Sequence, residues 1–455
     1  MKWLKRGLIT LAVILVLFLI YFRLNFIPII TGYGAKNLCT CYYVGGRSVD
    51  DILREELSFS FLPLGTFTLN LSDSSASGTV LGMGRTTAYY RKGLGCTIVK
   101  HGDVADWRSR VQPPVHRAPV SRDSIPWPHG DSIARTHLTA NVDDVRISGA
   151  LDYAFADTDP HQRRTRAVIV VFNGELIAER YAPGFDRYSM HRGWSMAKTV
   201  TNTLTGILVR QGKLGISEPA PVDEWRSDER AGITLSHLLQ QSSGLEWNET
   251  YLFPSGVNKM LHLEPDMGAY AASMRLEHAP GTFFYYSSGT SNIVSRILRK
   301  TIGDEVYINF PRRELFDKIG VQSMLLEADA SGTFVGSSYA LATARDWARF
   351  GMFLEKGMWN GEQILPEDWI RYSTTPAPAS ADGGYGAHIW LNYGNGEDRP
   401  WPDVPRDAFW ADGFEGQSVV VIPSKALVVV RLAQEHGHFL NMNAFLRQIF
   451  GALPM

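Results

Sequence analysis

Ala167-Val168-Ile169-Val170-Val171-Phe172-Asn173-Gly174-Glu175-Leu176-Ile177-Ala178-Glu179-Arg180-Tyr181 is the stretch that decides the fold class. Six apolar residues lead into Asn-Gly, and a second apolar-rich segment leads out. A two-residue hairpin loop needs positive φ at both central residues, and Asn-Gly tolerates that best, so the stretch reads as a β-hairpin. Near the other end of the chain, Phe409 to Gly413, Ser418 to Ile422 and Leu427 to Leu432 also read as strands. Between these groups lies a mainly helical middle, opened by a helical pattern from Ser195 to Leu208 with Gly212 as its stop. A short helix is expected from Val142 to Ala154 and a final one from Asn441 to Phe450. Strands at both ends with helices between them predict an α+β protein. One antiparallel sheet would form from both chain ends, flanked by helices, beside an all-helical region.

Upstream, Leu57 to Val99 alternates apolar and polar residues between Gly and Ser turns, which predicts a small β-rich region. Pro113, Pro114, Pro119, Pro126 and Pro128 then give a linker composition. The expected organisation is a signal-anchor or transmembrane segment over 1–30, the β-rich region over 31–111, a Pro-rich linker over 112–135 and a main domain over 136–455.

Lys2, Lys5 and Arg6 precede an apolar run from Gly7 to Phe22. An uncleaved anchor and a cleaved secretory signal compete. The absence of a good small-x-small site favours the anchor. Cations at that end predict that the tail stays cytoplasmic and that the bulk of the chain is extracytoplasmic, in a periplasm or outside the cell. The alternative is secretion after cleavage. Such a compartment permits disulfides. Cys39, Cys41 and Cys96 supply at most one pair, with Cys39 and Cys96 the candidate and the one-residue spacing of Cys39 and Cys41 straining a direct bridge. A zinc site lacks Cys-x-x-Cys spacing, and buried free thiols remain the plain alternative.

Composition narrows the classes. The 455 residues are 45% hydrophobic and 20% charged, which excludes a wholly disordered chain, a collagen-like fibre and a polytopic membrane protein. Lys plus Arg (45) nearly cancels Asp plus Glu (46), so nucleic acid is not an expected partner.

The candidate chemistry sits in His191-Arg192-Gly193-Trp194-Ser195-Met196-Ala197-Lys198-Thr199. On a helix, i and i+3 share a face, so Lys198 can reach the Ser195 hydroxyl. A serine hydroxyl is a poor nucleophile until a base takes its proton. The helix N-terminus adds backbone N–H groups where an oxyanion would form. Alone, Ser-x-x-Lys arises about once by chance in a chain of this length.

Two further motifs follow in order: Pro280-Gly281-Thr282-Phe283-Phe284-Tyr285-Tyr286-Ser287-Ser288-Gly289 and Trp410-Ala411-Asp412-Gly413-Phe414-Glu415-Gly416-Gln417. With linking segments such as Leu238 to Trp247 and Ala342 to Gly351, the chain from roughly Ser148 onward resembles the serine β-lactamase and penicillin-binding-protein superfamily. It looks most like the branch of class C β-lactamases, related esterases and 6-aminohexanoate-dimer hydrolases. The resemblance implies Ser195 as acylated nucleophile, Lys198 as its proton partner and Tyr286 as the relay to the leaving group. It implies the N–H groups of Ser195 and Phe414 as oxyanion donors, with Gly413 just before the second. No metal or organic cofactor is implied.

Two departures shift the expected substrate. Ser288 stands where β-lactamases typically carry Asn. Ala411-Asp412-Gly413 replaces Lys-Thr-Gly, removing the cation that meets a β-lactam carboxylate and adding an anion that repels one. The expectation is therefore an amidase or esterase acting on a small-molecule or peptide-like substrate, and not an efficient β-lactamase. Trp247, Tyr385 and Trp390 are candidates for the pocket wall, with core packing as the alternative for each. Neither the acyl group nor an oligomeric state follows from the sequence.

Three other readings compete. Gly193 to Ala197 also resembles the nucleophile elbow of α/β-hydrolases with His436 or His438 as base, but a polar loop from Asp186 to Arg192 precedes it where that elbow needs a buried parallel strand. Both histidines read as exposed loop residues. A metal-dependent hydrolase would need ligand spacing that His262, His278 and His388 do not have. A non-catalytic, membrane-tethered envelope-binding protein of the penicillin-binding-protein fold is the alternative from a different class, although it has no need of Ser195, Lys198 and Tyr286 together.

Overall fold

The computed structural model describes residues 2–100, 102–110, 112–114, 121–133, 142–156, 163–251, 254–394, 399–436 and 439–454. His438 and parts of the Pro-rich linker lie outside them. The chain divides into two compact units: Met1–Gln112 with Asn248–Met267 and Ala328–Gly332, and Pro113–Trp247 with Gly268–Glu327 and Thr333–Met455.

The first unit begins with α1 (Lys2–Asn25) and α2 (Ile27–Tyr43). The apolar side chains of α1, among them Leu8, Ile14 and Phe18, are exposed. From Ile27 onward burial begins, so the second apolar stretch of the sequence belongs to a packed helix. Strands β1 (Gly65–Asn70), β2 (Ser75–Val80), β3 (Met83–Arg91) and β4 (Gly95–Ile98) form an antiparallel meander. Ile30, Leu38, Cys39, Phe67, Ala76 and Cys96 meet in its core against α2. The unit is therefore a sheet with a helix on it, not β structure alone. A disulfide joins Cys39 to Cys96, whose Cα atoms are 6.0 Å apart, while Cys41 is a buried free thiol. The helix Gly256–Leu263 joins this unit from far along the sequence because His262 packs directly on Gly32, where a Cβ would come within 2.9 Å of the His262 Cβ.

The second unit is built on six antiparallel strands: β5 (Arg163–Phe172), β6 (Glu175–Tyr181), β9 (Trp390–Leu391), β10 (Phe409–Gly413), β11 (Gln417–Ile422) and β12 (Leu427–Glu435), where β7 is Met190–Arg192 and β8 is Ala340–Thr343. The sheet order is β9-β10-β11-β12-β5-β6, so both chain ends contribute to it. Phe172 pairs with Glu175 across Asn173 (φ 49°) and Gly174 (φ 80°), the two-residue turn that Asn-Gly favours.

Helices α3 (Asp144–Phe155) and α7 (Met442–Phe450) cover one face, burying Leu151, Val168, Val170, Val420, Val429, Phe445 and Ile449 together. On the other face runs α6 (Ala344–Leu354). Its Gly351 allows a close approach, since a Cβ there would lie 2.6 Å from Val428 Cγ1 and 2.7 Å from Val419 Cγ1. The expected polar loop before Ser195 is in part β7, which pairs antiparallel with β8. Main-chain pairing, not side-chain apolarity, makes it a strand, so composition concealed it.

Candidate active site

Trp194–Met196 forms a 3-10 turn, and α4 (Ala197–Arg210) continues from it. Gly193 N–H donates to Ala340 O at 2.7 Å, which ties the turn to β8. Trp194 has a φ of 46°, a left-handed conformation that a bulky side chain adopts only when its surroundings enforce it. Ser195 follows, half-buried, and Lys198 lies one turn on, 1% exposed.

Lys198 Nζ lies 3.2 Å from Ser195 Oγ, 3.1 Å from Ser288 Oγ and 3.0 Å from Ser337 O. It also sits 4.6 Å from the centre of the Tyr286 ring. The structure thus gathers Ser195, Lys198, Tyr286 and Ser288 at one point. Ser288 opens α5 (Ser288–Ile302), capped by the Ser287 hydroxyl, which accepts from Thr290 N–H.

Several residues in this arrangement escaped sequence reasoning. Ser337 supplies a carbonyl from a loop 139 positions beyond Lys198, and no local pattern marks it. Asn292, one helical turn after Ser288, donates to Ser288 O and to Ser337 Oγ. Gln241 lies in the segment Leu238 to Trp247, where no local pattern marks its role. Its Oε1 accepts from Ser287 N–H and Thr290 Oγ1, and its Nε2 donates to Ser291 Oγ. Ser291 in turn meets His388 Nε2 at 3.0 Å. Complete burial, with Lys198 nearby, pushes the His388 pKa down to about 3. His388 is therefore a neutral support behind the site, and its O accepts from Thr199 Oγ1.

The remaining candidates sort by position. Trp390 stacks on Tyr286 with ring centres 5.5 Å apart. Tyr385, 1% exposed, packs edge-on to both rings, so it backs the wall and does not face the cleft. Trp247 lies against Gly289, where a Cβ would come 2.7 Å from its ring, and so backs the start of α5. Ala411 is buried and Asp412 exposed, as alternation along β10 requires. Gly413 touches the turn that carries Ser195, because a Cβ there would lie 2.1 Å from Gly193 O. Phe414, 42% exposed, packs edge-on to Trp194.

Glu415 is the buried anion of the site. Its Oε2 accepts from Trp194 Nε1 at 2.9 Å and lies 3.6 Å from the Arg192 guanidinium. Its Oε1 accepts from Gln434 Nε2. His436, expected to be an exposed loop residue, is partly buried, 3.8 Å from the same carboxylate and 3.3 Å from Gln434. The other histidines have packing roles: His278 stacks on Phe283, and His262 is buried in the first unit. Among the described residues, no group of three or more His, Cys, Asp or Glu side chains is placed to hold a metal ion.

Comparison with known proteins gives this geometry its context. A sequence-family profile described as Beta-lactamase matches residues 152–449. The chain is 24% identical over 221 residues to a 6-aminohexanoate-dimer hydrolase of Paenarthrobacter ureafaciens, a stretch covering 45% of this chain and 56% of that protein. The chain thus spans about half the length of that relative. Among solved structures, a Bacillus anthracis protein assigned as a 6-aminohexanoate-dimer hydrolase superposes with a TM-score of 0.55 at 19% identity, over 75% of this chain and 87% of that one. A family VIII carboxylesterase gives 0.52 at 14% identity, over 71% and 99%. At these identities the structures share the fold.

Proposed function

The chain belongs to the beta-lactamase family, and from that premise we propose that it is a serine hydrolase cleaving an amide or ester through an acyl-enzyme on Ser195. The observation that carries this reading is the contact of Lys198 Nζ with Ser195 Oγ at 3.2 Å. A neutral amine has two N–H bonds and one lone pair. Ser337 O and Ser288 Oγ match the two donors, and the Ser195 O–H matches the lone pair. In that state Lys198 takes the proton as Ser195 Oγ attacks the carbonyl carbon. The oxyanion falls to the N–H groups of Ser195 and Phe414, a pairing supported by the close approach of Gly413 to Gly193 O. Tyr286 passes a proton to the departing amine or alcohol, and water then releases the acyl group by the reverse relay.

The substrate is a small molecule or peptide-like amide or ester, and not a β-lactam handled efficiently, because β10 carries Ala411 and Asp412 where a cation would be needed. Helix α1 acts as a membrane tether. Its 24 residues span about 36 Å, enough for a hydrocarbon core of about 30 Å, and the apolar side chains are exposed. With Lys2, Lys5 and Arg6 at its start, the hydrolase unit lies on the extracytoplasmic side, where the Cys39–Cys96 bond is sustainable. The division into a tether over 1–30, a region over 31–111, a linker over 112–135 and a hydrolase domain over 136–455 is part of this proposal.

The test is intact mass after incubation with a fluorophosphonate and, separately, a penicillin, with Ser195→Ala as control. A phosphonate adduct on wild type alone supports the proposal. A penicillin adduct would move the site toward cell-wall chemistry. No adduct from either reagent on folded protein would favour a non-catalytic envelope-binding protein.

A further inference from the structure

We propose that the cleft selects substrates bearing an ammonium group on the leaving-group side, held by the Asp412 carboxylate beside the aromatic wall of Tyr286 and Trp390. This rests on the acyl-enzyme reading above and names the substrate class of the same site.

The argument starts from the strand. β9 pairs only with Phe409 and Trp410 of β10, so residues 411–413 continue past it toward the nucleophile turn. Asp412 adjoins Gly413, the residue in contact with Gly193, and its side chain is exposed. The Trp410 side chain projects on the same side of β10, two residues before Asp412. Trp410 stacks on Trp390 with centres 6.5 Å apart, and Trp390 stacks on Tyr286. The Asp412 carboxylate, the partly exposed Trp390 indole and the proposed leaving-group acid therefore follow one another along this edge, with Trp410 buried between the first two.

The Lys198 amine, which acts on Asp412 from within the site, is already engaged by Ser195, Ser288 and Ser337. Desolvation by surrounding protein raises the Asp412 carboxyl above its ordinary value, with Lys198 opposing and Glu435 adding to the rise. The side chain itself is exposed on β10. A carboxylate held in that condition gains from an incoming cation and repels an incoming anion. Aromatic faces beside it attract the same cation through their quadrupoles. Tyr286 at the other end of the wall places the charge on the leaving group. During acylation the Ser195 Oγ–acyl bond forms and the acyl–oxygen bond of the leaving alcohol breaks. The Ser195 proton ends on that oxygen, and the ammonium keeps its charge throughout.

The experiment compares butyrylcholine with 3,3-dimethylbutyl butyrate, which has the same acyl group and a neutral carbon in place of nitrogen. Full-length wild type should favour the cationic ester in kcat/KM by about tenfold or more, and Asp412→Asn should bring the ratio close to one. A wild-type ratio near one, or a preference that survives Asp412→Asn, overturns the proposal. Calorimetric binding of both esters to Ser195→Ala protein supplies a readout independent of turnover. If wild type cleaves neither ester, tighter binding of the cationic ester that is lost in the Ser195→Ala/Asp412→Asn double variant sustains the subsite while the hydrolase reading fails. Equal binding, or none, overturns the subsite.

Discussion

The Trp194 indole N–H donates to the Glu415 carboxylate at 2.9 Å, and the two residues flank the two proposed oxyanion donors. Trp194 directly precedes Ser195, and Glu415 directly follows Phe414. Both have left-handed backbone, with φ values of 46° and 67°. Backbone in that region persists only when its surroundings hold it, and this hydrogen bond closes the pair. Glu415→Gln removes the charge facing Arg192 and His436 and weakens the clasp. The phosphonate labelling rate and kcat should fall about 10- to 100-fold with KM little changed. Unchanged labelling of folded variant protein would separate Glu415 from site positioning.

Lys198→Ala should slow phosphonate labelling of Ser195 by about 10²- to 10⁴-fold, the usual contribution of a positioned proton acceptor. Tyr286→Phe keeps the ring beneath Lys198 and removes only the hydroxyl. It should impair turnover of a substrate with a poor leaving group more than of an activated ester. Equal losses on both substrates would contradict the assignment of Tyr286 to leaving-group protonation.

Gly413→Ala places a Cβ 2.1 Å from Gly193 O, closer than atoms can approach. The end of β10 must move away from the Ser195 turn, taking the Phe414 N–H with it. The expected result is a stability loss of about 1–3 kcal/mol and a larger proportional loss of acylation rate, read by thermal unfolding and by labelling. A variant of native rate would show that the second donor lies elsewhere.

His388 and His262 are fully buried, and desolvation lowers each pKa to about 3 from 6.5. Below pH 6.5 the unfolded chain binds protons that these folded groups refuse, so stability falls as pH drops toward about 3. Above 6.5 neither contributes. At pH 5.5 each would cost about 1.4 kcal/mol. His388→Gln should flatten the dependence of denaturant midpoint on pH between 6.5 and 4. A slope equal to wild type would show that His388 is protonated in the folded protein.

Reducing the Cys39–Cys96 bond should destabilise the first unit by about 2–4 kcal/mol. The check is limited proteolysis with and without reductant, followed by mapping of cuts within residues 31–111. Cys96→Ser should reproduce the effect, and indifference to reductant would show that the bond does not support the unit.

Local pattern made much of this legible. Ala167 to Phe172 read as a strand because six apolar residues end at Asn-Gly, and those positions are buried in β5 with a two-residue turn after them. Ser195 and Lys198 were legible because their spacing is a property of one helical turn. β7 was not, since the strand character of Met190 to Arg192 comes from pairing with β8, 150 residues on.

By itself, the sequence determined the α+β class, the strands at both chain ends and the Ser-x-x-Lys pair, because each depends on neighbours a few residues apart. Only the tertiary structure decided which groups complete the site. Ser337 O against Lys198, Gln241 behind Ser287 and Glu415 against Trp194 join positions separated by 46 to 221 residues. Tertiary packing also separated Tyr385, sealed behind Tyr286 and Trp390, from Asp412, which stays exposed on β10. The physical reason is range: backbone propensity and side-chain periodicity act over one or two turns, whereas the meeting of distant polar groups is set by how the folded sheet and helices pack.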